Sequence, residues 1–345
     1  MDGLDPNSPE VDGKVESTFA PYGKSFTTRP QGFLDGNRNN YLPIWLQEAG
    51  YSTYYTGKLF NAHTVENYDK PHAAGWTSSD FLLDPFIREG TYNTDDLSDK
   101  TINYIREAHA AGKPFFIGSA PIAPPPIPKL SRTRVHTNWT ISPTDPGIQP
   151  LILPPKPAKR HADMFRHLKV PRTPNFNPEE PSGVNWVAQR PQLNQTYIDY
   201  GDDLFRLRLE SLQAVDETVD RIVKELESLD IMDNTYIIYT SDNGYHIGQY
   251  RLSPGKQCRF EEDINVPLLI RGPGVPKGVV SDAMTSHTDL ATSISRMTAI
   301  KPRPEFDGLA VSLTEDELER ATQSRAEHVG IEFWGLAVDE GIDSK

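Results

Sequence analysis

Residues 235–274, TYIIYTSDNGYHIGQYRLSPGKQCRFEEDINVPLLIRGPG, constrain the fold more than any other stretch. The run Tyr236-Ile237-Ile238-Tyr239-Thr240 is short, β-branched and aromatic, and it follows the turn formers Asp233-Asn234. That pattern predicts a buried strand. The strand stops at Ser241-Asp242-Asn243-Gly244, where the glycine lets the backbone fold away. A carboxylate and an amide carbonyl are thereby placed at a strand's carboxyl end, the edge at which open α/β sheets bind ligands. Asp242 and Asn243 offer hard oxygen atoms, which suit calcium or magnesium better than zinc. Lys256 follows in the loop Ser253-Pro254-Gly255-Lys256, where its ammonium can stand over an anion. The acidic Glu261-Glu262-Asp263 comes next, then a second apolar strand, Val266 to Ile270, closed by Gly272-Pro273-Gly274.

The preceding chain supplies helices and strands in alternation. Asn39-Asn40 can cap a helix from Tyr41, with Leu42, Trp45, Leu46 and Ala49 on one face and Gly50 at its end. Tyr51 to Thr56 alternates and is β-prone, and it leads to Gly57-Lys58. A helix is predicted from Thr94 or Asp95 to Ala110, followed by the strand Pro114 to Gly118. Asp202-Asp203 reads as the start of the longest helix, with Leu212, Val215, Val219, Ile222, Leu226 and Leu229 forming a core stripe. Ser286-His287-Thr288-Asp289 reads as another helix start, and Glu327 to Trp334 as a last strand. Helices feeding strands predict an α/β fold with a mostly parallel central sheet flanked by helices.

Residues 1–38 are poor in apolar side chains and rich in turn formers, so they read as loop or poorly ordered; 39–345 read as one domain. Within it, residues from about 130 to 200 form a Pro-rich insertion without periodicity. Its Lys156, Lys159, Arg160, Arg166, Lys169 and Arg172 make a basic stretch, either a solvated loop or a rim that attracts an anionic substrate.

The formal charge of −13, from 35 basic and 48 acidic residues without long single-sign runs, argues against a nucleic-acid or anionic-membrane partner. No apolar run approaches the roughly 18–20 residues of a membrane span. The polar, acidic start MDGLDPNSPEVDGKVESTF is unlike a signal peptide. The single cysteine, Cys258, excludes internal disulfides and cysteine-rich zinc modules. Two acceptor sequons, at Asn138 and Asn194, matter only on a secretory route.

The string from Ser241-Asp242-Asn243-Gly244-Tyr245-His246 through Pro254-Gly255-Lys256 to the strand ending in Arg271-Gly272-Pro273-Gly274 resembles the sulfatase family, in particular its fungal arylsulfatase-like branch. The helix, strand and Gly57-Lys58 piece resembles the family's second signature, with Thr56 where a small apolar residue or serine is usual. The resemblance implies an alkaline-phosphatase-like fold and hydrolysis of sulfate esters with a divalent metal, usually calcium. It assigns Asp242 and Asn243 to the metal and Lys58 and Lys256 to the sulfate, with His246 beside the metal turn approaching substrate or leaving group. The implied substrate is a small sulfated aryl or sugar compound, and the implied route is secretory. His63 stands in a stretch that also resembles this branch; it either shapes the pocket or is a solvent-facing or structural histidine.

Other family features have no counterpart. Sulfatases attack with a formylglycine made in a Cys/Ser-x-Pro-x-Arg motif, and Cys258 is followed by Arg-Phe-Glu-Glu. Pro125 stands where the family places a histidine after Ala-Pro, and proline neither donates a proton nor bonds a sulfate oxygen. The family's N-terminal aspartate pair and its small C-terminal sheet have no counterpart either. The expectation is an incomplete sulfatase domain, shortened at both ends, impaired by loss of the nucleophile. The alternatives are a non-catalytic protein that grips sulfated ligands, a piece of a longer gene product, or a related phosphate or phosphonate ester hydrolase.

Overall fold

The computed structural model describes residues 40–60, 63–83, 91–123, 127–129, 151–183, 185–256, 258–304, 306–323 and 329–331. The loop expected over 1–38 and the substitution at Pro125 lie outside these residues.

Helix α1 (Leu42–Glu48) leads to strand β1 (Ser52–Gly57), which is flanked by β2 (Ser78–Phe81) and β3 (Phe115–Ala120). Both pairings are parallel, with Tyr54 opposite Ser78 on one side and Ile117 on the other. The crossover from β2 to β3 runs through α2 (Asn93–Ala110), within a residue or two of the predicted span. Alternation along β1 sends adjacent tyrosines to opposite faces. Tyr54 packs with Tyr104 and Ala108 of α2, while Tyr55 packs with Trp76 and Phe81. Strand β1 is therefore buried on both sides, as expected of the centre of a parallel sheet.

A second core lies between α2 and the long α3 (Gln195–Ser228), where Ile102 and Ile105 meet Leu226, with Met232 and Ile237 beyond. Burying each such aliphatic side chain stabilises the fold by roughly 1.5–3 kcal/mol. Ion pairs line the seam outside: Arg106 reaches Glu225 at 2.7 Å and Arg221 reaches Asp99 at 2.7 Å.

Strand β6 (Ile237–Tyr239) follows α3 and pairs antiparallel with β7 (Leu269–Arg271); β4 (Ile127–Lys129) and β5 (Leu151–Leu153) form another antiparallel pair. The predicted parallel arrangement thus stands in the three-stranded sheet, and two further pairs run the other way. The predicted burial of the Tyr236–Thr240 strand does not hold: β6 is half-buried, and Leu269 of β7 is 58% exposed. The expected last strand over 327–334 is not formed at 329–331, and its other residues lie outside those described.

The start of the long helix also differs from the expectation. Asn194, not Asp202-Asp203, caps it, its side-chain oxygen accepting from Tyr197 N at 3.2 Å. Asp202 is buried one face in, where it accepts from Val170 N at 2.9 Å and pairs with Arg172 Nη2 at 2.7 Å. Arg160 pairs with Asp95 and Glu217, and Arg166 with Asp163. Arg160 and Arg172 therefore hold the insertion to the domain and Arg166 pairs within it, so the three arginines of that basic stretch are engaged in ion pairs. Toward the C-terminus α4 (Glu261–Ile264), α5 (Thr288–Met297) and α6 (Glu315–Gln323) follow among the described residues. Asp289 closes the start of α5 as predicted, accepting from Ser286 N at 2.7 Å.

Candidate functional site

The Asp242-Asn243 turn leaves β6 and immediately doubles back onto α4. Gly244 N donates to Asp263 O at 2.8 Å and Tyr245 N to Glu262 O at 2.6 Å. A Cβ at Gly244 would lie 2.0 Å from Glu262 O, so only glycine permits this approach. The next bonds tie the turn to the lysine loop: His246 N donates to Gly255 O at 2.9 Å, and Gly255 N donates back to His246 O at 3.0 Å. This two-bond bridge carries Lys256 to the turn, and its Nζ lies 3.4 Å from Asn243 Oδ1. Asn243 Nδ2 donates to Gly244 O at 2.8 Å, which orients the amide with its oxygen toward the lysine. Asp242 is exposed, and Asn243 and Lys256 are half-buried.

The second motif meets the same region from β1. Gly57 ends the strand at φ 110°, and Lys58 N donates to Ala120 O at 3.0 Å. A Cβ at Gly57 would fall 2.0 Å from that same carbonyl. Tyr55 Oη donates to Lys58 O at 2.6 Å. Burial first, and the negative charge of Asp242 second, push the Tyr55 phenol well above its usual range. The negative charge of Asp242, past the end of β6, is thus felt at Tyr55 of β1, although the two strands belong to separately bonded sets. Sequence reasoning passed over Tyr55, whose aromatic ring in an alternating strand reads as core.

His246 sits differently from the expectation. Its side chain is 5% exposed and its Nδ1 lies 2.7 Å from Oδ1 of Asp263, itself 1% exposed. The imidazole thus braces the turn from within. Asp263 was missed because an acidic run reads as solvated surface; the helical start at Phe260 turns its third member inward. Cys258 is half-buried, and its thiol is pushed up to about 11 by burial and then by Asp263, against the pull of Arg190 and Arg259. A thiol so placed stays protonated at neutral pH and is no nucleophile.

His63 is fully buried beside Phe60 and Phe81, and neither ring nitrogen has good hydrogen-bond geometry with a described residue. Burial lowers its pKa, the Tyr68 backbone opposing in part and His72 adding to the drop. It is a packing residue beneath the Lys58 loop, in line with the structural one of its expected roles.

A family profile described as Sulfatase matches residues 17–300. The chain is 42% identical over 239 residues to Sulfatase ppz1 of Metarhizium majus, an alignment covering 68% of this chain and 52% of that protein. It is 34% identical over 342 residues to an arylsulfatase of Volvox carteri, covering 88% of this chain and 51% of the relative. It spans about half the length of these curated relatives. Among solved structures, BT4656 in complex with its substrate D-glucosamine-2-N,6-O-disulfate superposes with a TM-score of 0.58 at 21% identity, covering 79% of this chain and 64% of the other. That likeness shows the fold, an alkaline-phosphatase-like α/β sulfatase domain with a parallel sheet flanked by helices. On the profile match and these relatives, the chain belongs to the sulfatase family.

Proposed function

We propose that these residues form the sulfate- and metal-binding part of an arylsulfatase-type sulfuric ester hydrolase. The observation that carries this reading is the convergence of Lys256 on Asn243, beside Asp242 in the same turn, whose charge reaches the Tyr55 phenol that bonds Lys58 O. In this reading the ammonium groups of Lys58 and Lys256 contact the sulfate oxygens, where a charge-assisted hydrogen bond contributes about 1.5–3 kcal/mol. They counter the negative charge that builds on the sulfate as the ester bond breaks. A small sulfated aryl or sugar compound is the proposed substrate class, and a secretory route follows from the same family reading.

The donor chemistry of the turn fits a divalent hard ion in kind: an exposed carboxylate and an amide oxygen. Calcium takes about six to eight oxygen ligands. Asp242 and Asn243 would hold such an ion at one side, and when bound it would polarise a sulfate oxygen. His246 positions the turn from beneath through Asp263.

The 345 residues contain no Cys/Ser-x-Pro-x-Arg sequence, and the Cys258 thiol is not activated. We therefore propose that this polypeptide binds sulfated ligands but does not turn them over, because the covalent route needs a nucleophile. The test incubates the purified chain with 4-nitrophenyl sulfate and calcium. Release of 4-nitrophenol that depends on Lys256 would contradict the claim of inactivity, and binding without release supports it.

A further inference from the structure

We propose that His246, Cys258 and Asp263 form a binding site for a zinc-type divalent transition ion, separate from the Asp242-Asn243 turn. One ligand atom from each lies within 4.8 Å of the other two, on three segments that the fold brings together. Tetrahedral zinc with sulfur at about 2.3 Å and nitrogen and oxygen near 2.1 Å separates its ligands by about 3.4–3.6 Å. Binding therefore needs the widest pair, at most 4.8 Å apart, to close by up to about 1.4 Å and the His246 Nδ1–Asp263 Oδ1 pair, 2.7 Å apart, to open by about 0.7 Å. Sulfur, nitrogen and carboxylate oxygen together select zinc or a similar borderline ion, in contrast to the all-oxygen turn nearby.

A second observation concerns the same cluster. Asp263 uses Oδ1 on His246, while its Oδ2 is buried with no hydrogen-bond partner among the described residues. A buried carboxylate oxygen left unmatched is costly, and a cation completes it. The charges also balance. A doubly positive ion with one carboxylate and one thiolate sums to zero, which suits a site whose histidine and aspartate side chains are 5% and 1% exposed. Binding sends the thiol proton to solvent and moves the imidazole proton from Nδ1 to Nε2. The raised thiol pKa rules out a ready-made thiolate, and coordination itself would deprotonate the sulfur.

The backbone holds all three ligands before any ion arrives. His246 is fixed by its paired bonds to Gly255, Cys258 N donates to Lys256 O at 3.0 Å, and Asp263 stands on α4 with its carbonyl on Gly244. His246 is three residues from Asn243, and Cys258 two from Lys256. An ion here clamps the two loops that carry the metal turn and the lysine. The half-exposed Cys258 side leaves room for water as a fourth ligand.

The test uses the full chain stripped by a chelator and titrated with cobalt(II), then zinc. The expected result is one equivalent of cobalt with a thiolate-to-cobalt charge-transfer band in the near ultraviolet, displaced by zinc. Cys258→Ser, checked for folding by circular dichroism, loses the band and weakens zinc binding by about 100-fold. Asp242→Asn keeps the band. No band in the unsubstituted chain, a band surviving Cys258→Ser, or a band lost in Asp242→Asn overturns the proposal. None of these readouts involves a sulfated ligand, so the result is independent of the proposed function.

Discussion

His246 and Gly255 exchange two backbone hydrogen bonds, 2.9 and 3.0 Å long, across a loop of eight intervening residues. Through that bridge Lys256 is delivered to Asn243, and the turn and the lysine loop behave as one unit. A side chain can lean away without consequence for such a unit; a backbone change cannot.

Gly244 is where this dependence is sharpest. In Gly244→Ala the new methyl meets Glu262 O at 2.0 Å, and backbone on either side must shift. The expected loss of stability is about 1–3 kcal/mol, of the size seen for overpacking. Thermal unfolding monitored by circular dichroism measures it, and an unchanged midpoint would refute the close approach.

Asp202 gives a second prediction, away from the site. Its carboxylate, 4% exposed as a residue, holds Val170 N and Arg172 and so fastens the insertion to α3. Asp202→Ala leaves a buried amide and an unpaired guanidinium, a loss of about 3 kcal/mol, at the lower end for a broken buried pair because Arg172 is 38% exposed. The midpoint of urea unfolding reports it. Asp203→Ala, whose carboxylate is 67% exposed, changes the unfolding free energy by less than about 0.5 kcal/mol.

Stability toward acid follows from His63. Its pKa in the folded state lies below the ordinary 6.5, so the unfolded chain binds a proton that the folded chain resists. The contribution is fully present above about pH 6.5 and is lost as pH falls through the window down to the folded pKa. His63→Phe keeps a ring against Phe60 and Phe81 and removes the titrating group. Unfolding free energies measured from pH 7.5 to 5 are expected to fall less steeply in the variant. Equal slopes would show that His63 titrates normally.

The framework was legible where local pattern and tertiary fate agree. The alternation at 51–56 and the helical stripe at 94–110 each give an element within a residue or two of its observed span. The glycine and lysine positions at 57–58 and 255–256 were readable because turns and strand ends have strong residue preferences. The long helix start was missed because Asp202-Asp203 imitates a cap, whereas Asn194 follows a proline-rich stretch that reads as loop. The inward turn of His246 was not readable, since its partner is seventeen residues away and declares itself only after the chain has doubled back. The half-buried β6 has the same cause: its apolar composition predicts burial, and only the pairing with β7 shows how much of it is covered.

The most direct measurement is calorimetric titration of the chain with 4-nitrophenyl sulfate in calcium buffer, repeated on Lys58→Ala and Lys256→Ala. Each lysine contributes about 1.5–3 kcal/mol, so each variant is expected to bind about 10- to 100-fold more weakly while unfolding at an unchanged temperature. Absent binding in the unsubstituted chain, or equal affinity in all three proteins, would contradict the assignment of these two lysines to the sulfate.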